Sequence, residues 1–162
     1  MLAFMHRVQD HLVIGLDRVY FFNYLILILT SIGYFAYLYV SGTQNGGVNL
    51  QDILKGSPYS AIMMLVVLMN LLVGYYMWQK KDKILSSRTN ARWGLLPLAA
   101  CQFALGNILN GTLSILTYFS LNERGENISK SHKVTPGLKS FAISTSVYYL
   151  FCLGLIVLIM IH

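Results

Sequence analysis

Four long apolar stretches with no charged side chain in their interior constrain this chain more than any other feature. They cover about residues 19–40, 58–79, 94–120 and 138–161 of a 162-residue sequence. A helix needs about 20 predominantly apolar residues to cross a hydrocarbon core about 30 Å thick. Backbone hydrogen bonding in lipid permits only helices or closed barrels, and these stretches lack the alternation of barrel strands. The sequence therefore predicts an all-α polytopic membrane protein, with a single domain (1–162) that forms a bundle of four transmembrane helices.

Composition and charge agree with a protein of the lipid bilayer. Hydrophobic residues make up 56% of the chain and charged residues 11%, whereas soluble proteins carry about 25% charged residues. The net charge is +6, but Lys and Arg stand between the apolar stretches and form no common face, so no nucleic-acid partner is expected. Cys101 and Cys152 both lie within predicted spans, and their spacing indicates no disulfide framework.

The boundaries of the predicted spans carry helix-start signals. Ser57-Pro58 and Thr135-Pro136 each place a hydroxyl side chain before a proline. Such pairs are typical of an N-cap followed by the first helical position. Asn90 is the expected cap of the third helix. The second, third and fourth spans therefore have predicted starting points.

Two further segments have helical potential outside the spans. Residues 1–18 have apolar side chains at helical spacing, which predicts an amphipathic interfacial helix; a plain extension of the first span is the alternative. In the loop 41–57, Asn49 can cap a helix and Asp52 favours its first turn. One short helix is expected there.

Lys and Arg counts predict the orientation. An even number of spans puts both termini and the loop 80–93 on one side, which then holds seven Lys and Arg against five on the other. The side richer in Lys and Arg is usually cytoplasmic. Both termini are therefore predicted to be cytoplasmic, in a cytoplasmic (plasma) membrane.

The third span carries a stripe of small and polar residues. At about 100° per residue these residues share a face roughly 120° wide on one continuous helix. Close helix packing in lipid uses such faces, because small side chains let backbones approach and polar side chains bond across the interface. The stripe is therefore predicted to face protein. Its members are Ala99, Ala100, Phe103, Gly106, Asn107, Asn110, Ser114 and Thr117.

A layer of polar side chains is predicted near the middle of the bundle, with contributions from all four spans. One interpretation is structural: hydrogen bonds fix the register of the helices. The other is a ligand or ion site at the bilayer midplane. The residues of this layer are Thr30, Ser31, Asn70, Asn107, Asn110, Ser114, Tyr148 and Tyr149.

Several function classes are disfavoured. The body of every predicted span lacks Asp, Glu, Lys, Arg and His, although proton relays and coupled carriers usually need ionisable groups there. All four histidines lie outside the spans, which disfavours haem ligation. No metal-binding or catalytic motif is present. No cofactor, metal or catalytic residue is therefore predicted, and an enzyme acting on lipid has the least support.

Two functions remain at this stage. The first is a non-catalytic protein that acts by helix association with itself or with a larger membrane partner, as an accessory subunit, regulator or immunity-type factor. Four spans with basic inner loops resemble colicin-type immunity proteins in architecture alone. The alternative is a channel or transporter component that holds a neutral polar solute at the midplane.

Overall fold

The computed structural model describes residues 15–44, 50–123 and 134–161, and within these ranges the chain is helical with no strand. The predicted interfacial helix lies outside the described residues except for positions 15–18, and positions 16–18 form the start of the first described helix. The described part contains seven helices: α1 (Leu16–Gln44), α2 (Leu50–Gly56), α3 (Pro58–Gln79), α4 (Lys81–Leu85), α5 (Arg88–Ala104), α6 (Ile108–Glu123) and α7 (Leu138–Ile161).

Three of these helices, α1, α3 and α7, are long and apolar enough to cross a membrane. The bounds of α3 and α7 match the predicted stretches, and α1 extends the first stretch at both ends. The start of α3 follows the predicted chemistry, since the Ser57 hydroxyl accepts the backbone N–H of Ser60 (3.3 Å) and Pro58 occupies the first turn. The short helix predicted in the loop 41–57 is also present, as α2.

The third apolar stretch is not one helix, contrary to the prediction for residues 94–120. It breaks at residues 105–107, between α5 and α6. Gly106 has a φ of 79°, which is the left-handed conformation that glycine adopts without steric cost. Its N–H donates to the Phe103 carbonyl (3.0 Å), and the Asn107 N–H donates to the Gln102 carbonyl (2.8 Å). These two bonds form a Schellman motif, which ends α5 with its last carbonyls satisfied.

Beyond the break the chain turns back on itself, and α5 and α6 form a hairpin. Asn107 starts the second arm, because its side-chain oxygen accepts the backbone N–H of Asn110 (3.4 Å). The arms pack closely: a Cβ added at Gly111 would lie 2.8 Å from the Phe103 ring. The arms have 17 and 16 residues, so each is about 25 Å long.

Side-chain contacts fix the directions of α1 and α3. The Tyr20 hydroxyl donates to the Met77 carbonyl (2.7 Å), and the Ser31 hydroxyl donates to the Val67 carbonyl (3.1 Å). Residue numbers therefore rise along α1 as they fall along α3, so the two helices are antiparallel. The end of the bundle at which α1 begins is called the basic end, and the opposite end of the bundle is called the far end.

The remaining helices follow from contacts with α1 and α3. The Phe141 ring stacks on Tyr76 near the end of α3, so α7 begins at the basic end and runs towards the far end. In α6, Ser114 bonds Asn23 (3.0 Å) in the first third of α1. Since the turn at 105–107 lies beside Thr30, α6 runs from mid-bundle back to the basic end.

This arrangement places the positive charge and the chain ends asymmetrically. Leu16 lies at the basic end and Ile161 at the far end, whereas four crossings would place them together. Seven of the eight Lys and Arg among the described residues belong to segments at the basic end; only Lys55 belongs to the far end. The seven are Arg18, Lys80, Lys81, Lys83, Arg88, Arg92 and Lys139.

A polar network ties the start of the hairpin to the start of α7. The predicted cap, Asn90, does not cap α5; Ser87 does, accepting the Asn90 backbone N–H (3.1 Å). The Asn90 side chain instead donates to the Thr135 hydroxyl (2.8 Å) and accepts the Thr135 backbone N–H (2.9 Å). The prediction that Thr135 caps the fourth span, with Pro136 as its first residue, is wrong, because α7 begins at Leu138. The network holds both entry points at the basic end.

Replacing Gly106 with alanine is expected to destabilise the hairpin. A non-glycine residue at a φ of 79° costs about 1–2 kcal/mol, and the turn has no other glycine to absorb the strain. The measurement is the unfolding midpoint of the purified protein in detergent. Gly154→Ala is the matched control, since an added Cβ there meets nothing within 4 Å; its helix propensity should leave the midpoint unchanged or raise it. Equal midpoints for both variants would contradict the left-handed turn.

Candidate functional site

A chain of amide side chains lies at the hairpin turn. Asn107 Nδ2 donates to Gln102 Oε1 (2.9 Å), and Gln102 Nε2 donates to Asn70 Oδ1 (2.9 Å). The same Asn70 oxygen accepts the Tyr149 hydroxyl (2.6 Å). We call Asn70, Gln102, Asn107 and Tyr149 the amide cluster. It joins α3, α5, the turn and α7 at one depth of the bundle.

Burial makes this cluster costly to break. Asn70, Gln102 and Tyr149 are each at most 5% exposed, and Asn107 is half-buried. A buried polar group that loses its partner costs about 1–3 kcal/mol. Gln102 is the middle member, and it was missing from the predicted polar layer. A signal was available, because glutamine in an apolar stretch needs a partner, but its placement beside Asn70 depends on the turn.

The other predicted residues of the polar layer have separate partners. Ser114 pairs with Asn23, which sequence reasoning had also missed. Ser31 bonds the Val67 carbonyl, and the Tyr148 hydroxyl donates to the Leu65 carbonyl (3.2 Å). Thr30 bonds only carbonyls of its own helix. The eight residues therefore do not form one connected layer. Asn70, Asn107 and Tyr149 belong to the amide cluster, and of the others all but Asn110 brace pairs of helices or bond locally.

Asn110 is the exception among the buried amides. It has no exposed surface, and neither its side-chain nitrogen nor its side-chain oxygen has a hydrogen-bond partner among the described residues. It lies one turn along α6 from Asn107. Such unsatisfied groups are rare in folded proteins.

The predicted small and polar stripe is divided by the turn. Ala100 and Phe103 on α5 are exposed, whereas Asn110, Ser114 and Thr117 on α6 are fully buried. The buried part packs against α1 of the same chain, as the Asn23–Ser114 pair shows. Only the buried part of the stripe faces protein, and that protein is this chain.

A cavity of about 310 Å³ adjoins the amide cluster on the far-end side of the turn. It is open, because Thr30 and Gly106 in its wall are exposed. Its lining combines amide groups of α3 and the hairpin, hydroxyl groups of α1 and apolar side chains. The lining residues come from α1 (Thr30, Tyr34), α3 (Met63, Val66, Val67, Asn70) and the hairpin (Gln102, Leu105, Gly106, Asn107).

The chemistry available at this site is hydrogen bonding without charge. Among the residues that the structure describes, no Asp, Glu, Lys, Arg or His lines the cavity. Over residues 15–44, 50–123 and 134–161, no three His, Cys, Asp or Glu side chains group as metal ligands. Amide and hydroxyl groups beside apolar side chains can orient a small polar molecule, as in other ligand pockets.

The chain matches no protein-family model, no curated protein and no solved structure. Functional argument therefore depends on the geometry of the site.

Gln102 and Asn110 should respond oppositely to substitution by an apolar residue. Gln102→Met leaves Asn70 and Asn107 without their shared partner, so the free energy of unfolding should fall by about 1–3 kcal/mol. Asn110→Leu is nearly isosteric and removes two unsatisfied groups, so it should be neutral or stabilising. Unfolding midpoints in detergent distinguish the two. A loss at Asn110 as large as that at Gln102 would show that Asn110 has a partner.

Proposed function

We propose that this protein is an integral membrane protein that binds or passes a small neutral polar solute at the tip of a re-entrant hairpin. In this proposal α1, α3 and α7 span the bilayer, and α5 and α6 enter and leave from the basic end. The cavity at the turn, lined by Asn70, Gln102 and Asn107, is the observation that carries it. Non-helical backbone at membrane depth is tolerated where it is buried or lines a cavity.

Arm length supports the re-entrant arrangement. Each arm has fewer than the roughly 20 residues that a span needs. Of the two arms, only α6 forms an apolar helix, from Ile108 to Leu121, and this helix is shorter than a span. Transporters commonly place binding sites near the midplane where helices are interrupted, and the break at 105–107 has that position here.

The positive charge supports an orientation that differs from the sequence-based one. Seven of the eight Lys and Arg among the described residues belong to the basic end. Under the positive-inside rule the basic end is cytoplasmic, and Ile161 lies on the opposite side of a plasma membrane.

A second candidate is association with a second copy or a larger membrane partner. The small and polar stripe supports it less than expected, because its buried part packs internally. The open wall of the cavity favours it instead: Thr30 and Gly106 would otherwise face lipid. Covering this wall with protein would remove both residues from contact with acyl chains.

Cysteine labelling tests the re-entrant topology. In a variant whose Cys101 and Cys152 are replaced by alanine, Ser86→Cys and Lys139→Cys should react with an impermeant thiol reagent from the cytoplasmic side. Gly56→Cys should react from the opposite side only. Four crossings would instead put Lys139 on the side of Gly56, so labelling of Ser86→Cys and Lys139→Cys from different sides would contradict the hairpin.

Solute flux tests the cavity. Proteoliposomes containing the wild-type protein should swell or shrink faster in gradients of small neutral solutes such as urea or glycerol than empty liposomes. Asn107→Leu should abolish the increase, because it replaces an amide in the cavity wall with an apolar side chain. Thr112→Val is the matched control: Thr112 is exposed on α6 and bonds only the Ile108 carbonyl. Wild-type flux equal to that of empty liposomes would count against a conduit.

Cross-linking in native membranes addresses the second candidate. A cysteine at position 30 should form a cross-link to another chain if protein covers the cavity wall. Absence of any cross-linked species, with a monodisperse monomer after mild extraction, would remove this candidate.

A further inference from the structure

We infer that the cavity selects an uncharged solute that both accepts and donates hydrogen bonds, such as a small amide or a urea-type molecule. This inference rests on the proposed solute site and names the chemistry of its ligand. It follows from counting which hydrogen-bonding positions in the cavity wall are already used.

The amide wall offers donors. Each side-chain amide has two N–H hydrogens and an oxygen with two lone pairs. Asn70 Oδ1 accepts from both Gln102 and Tyr149, so its lone pairs are used. No hydrogen bond from Asn70 Nδ2 is formed within the described residues. Gln102 Nε2 and Asn107 Nδ2 each donate once and keep one hydrogen. A ligand oxygen therefore finds N–H groups here.

The part of the cavity wall that belongs to α1 offers acceptors. The Tyr34 hydroxyl donates its hydrogen to the Ser60 carbonyl (3.0 Å). The Thr30 hydroxyl donates to the Ile26 carbonyl (2.8 Å). A hydroxyl whose hydrogen is used in this way has only lone pairs to offer a ligand. Both oxygens therefore suit a ligand N–H or O–H.

The absence of ionisable groups in the lining limits the ligand's charge. A desolvated ion without a counter-charge is strongly disfavoured, and the cavity lining includes no carboxylate, ammonium or guanidinium. The apolar residues Met63, Val66 and Val67 complete the lining and suit an uncharged molecule. A ligand with a carbonyl oxygen at one end and N–H groups at the other fits both walls.

Three planar probes of nearly equal size separate the possibilities: urea, guanidinium and nitrate. Urea accepts and donates, guanidinium only donates and is positive, and nitrate only accepts and is negative. The reporter is Met63→Cys in the variant with Cys101 and Cys152 replaced by alanine, since Met63 lines the apolar part of the cavity. The measurement is its rate of modification by a small neutral thiol reagent in detergent, with each probe at equal, non-denaturing concentration.

Urea should slow the modification by about threefold once two thirds of the sites are occupied, as mass action requires. Guanidinium and nitrate should leave the rate unchanged. Equal protection by guanidinium or by nitrate would overturn the inference, and so would no protection by any probe. The flux experiment is independent of this result, since a conduit for other solutes would still accelerate swelling.

Tyr34→Phe supplies a second, conservative test. It removes the acceptor oxygen and keeps the aromatic ring, so protection by urea should weaken. In a Thr112→Val variant, whose substitution lies outside the cavity, urea should protect the thiol at position 63 as strongly as it does in the parent. A thiol placed outside the cavity, at Gly56, should react at the same rate in every variant if all are folded. Unchanged urea protection in a folded Tyr34→Phe variant would exclude the Tyr34 oxygen as an acceptor for the ligand.

Discussion

The closed hydrogen bonding of the turn at residues 105–107 is the constraint on which the rest of the structure depends. A chain that reverses in the interior of an apolar bundle exposes backbone groups at two helix ends, and hydrocarbon cannot satisfy them. Two residues of the turn satisfy these groups locally. Gly106 adopts the left-handed conformation that allows the Schellman bonds, and the Asn107 side chain caps the next helix. The amide cluster then ties the turn to α3 and α7. These bonds fix the depth of the turn relative to α3 and α7.

Once the hairpin forms, several other features follow from it. It fills the half of the bundle near the basic end, where α5 packs against α7 and α6 against α1. The far-end half is left to α1, α3 and α7, and the cavity opens where the hairpin stops. The same reversal gathers Lys and Arg at one end, since α5 begins and α6 ends there. The open cavity, the charge asymmetry and the opposite placement of Leu16 and Ile161 therefore share one structural origin.

The sequence predicts the helical class, the three long apolar helices and the cap at Ser57. These depend on hydrophobic length and local chemistry, which the sequence carries directly. The reversal at Gly106 was missed because apolar content from 94 to 120 is continuous, and length outweighed the Gly-Asn pair that ends one helix and starts another. With the turn missed, Gln102 could not be placed beside Asn70, and the face running through Asn107 was drawn on a helix that does not continue.

The hairpin also bears on how such a protein enters a membrane. The hairpin begins and ends at the basic end, so in the proposed re-entrant arrangement its insertion requires no hydrophilic loop to be translocated. Among the described residues, the segments at the far end are the loop between α1 and α3 and the end of α7, and Lys55 is the single lysine or arginine that these described segments contain. In this arrangement the hairpin can insert after the three long helices have crossed the membrane. Its amide groups then bond to α3 and α7 without moving those helices.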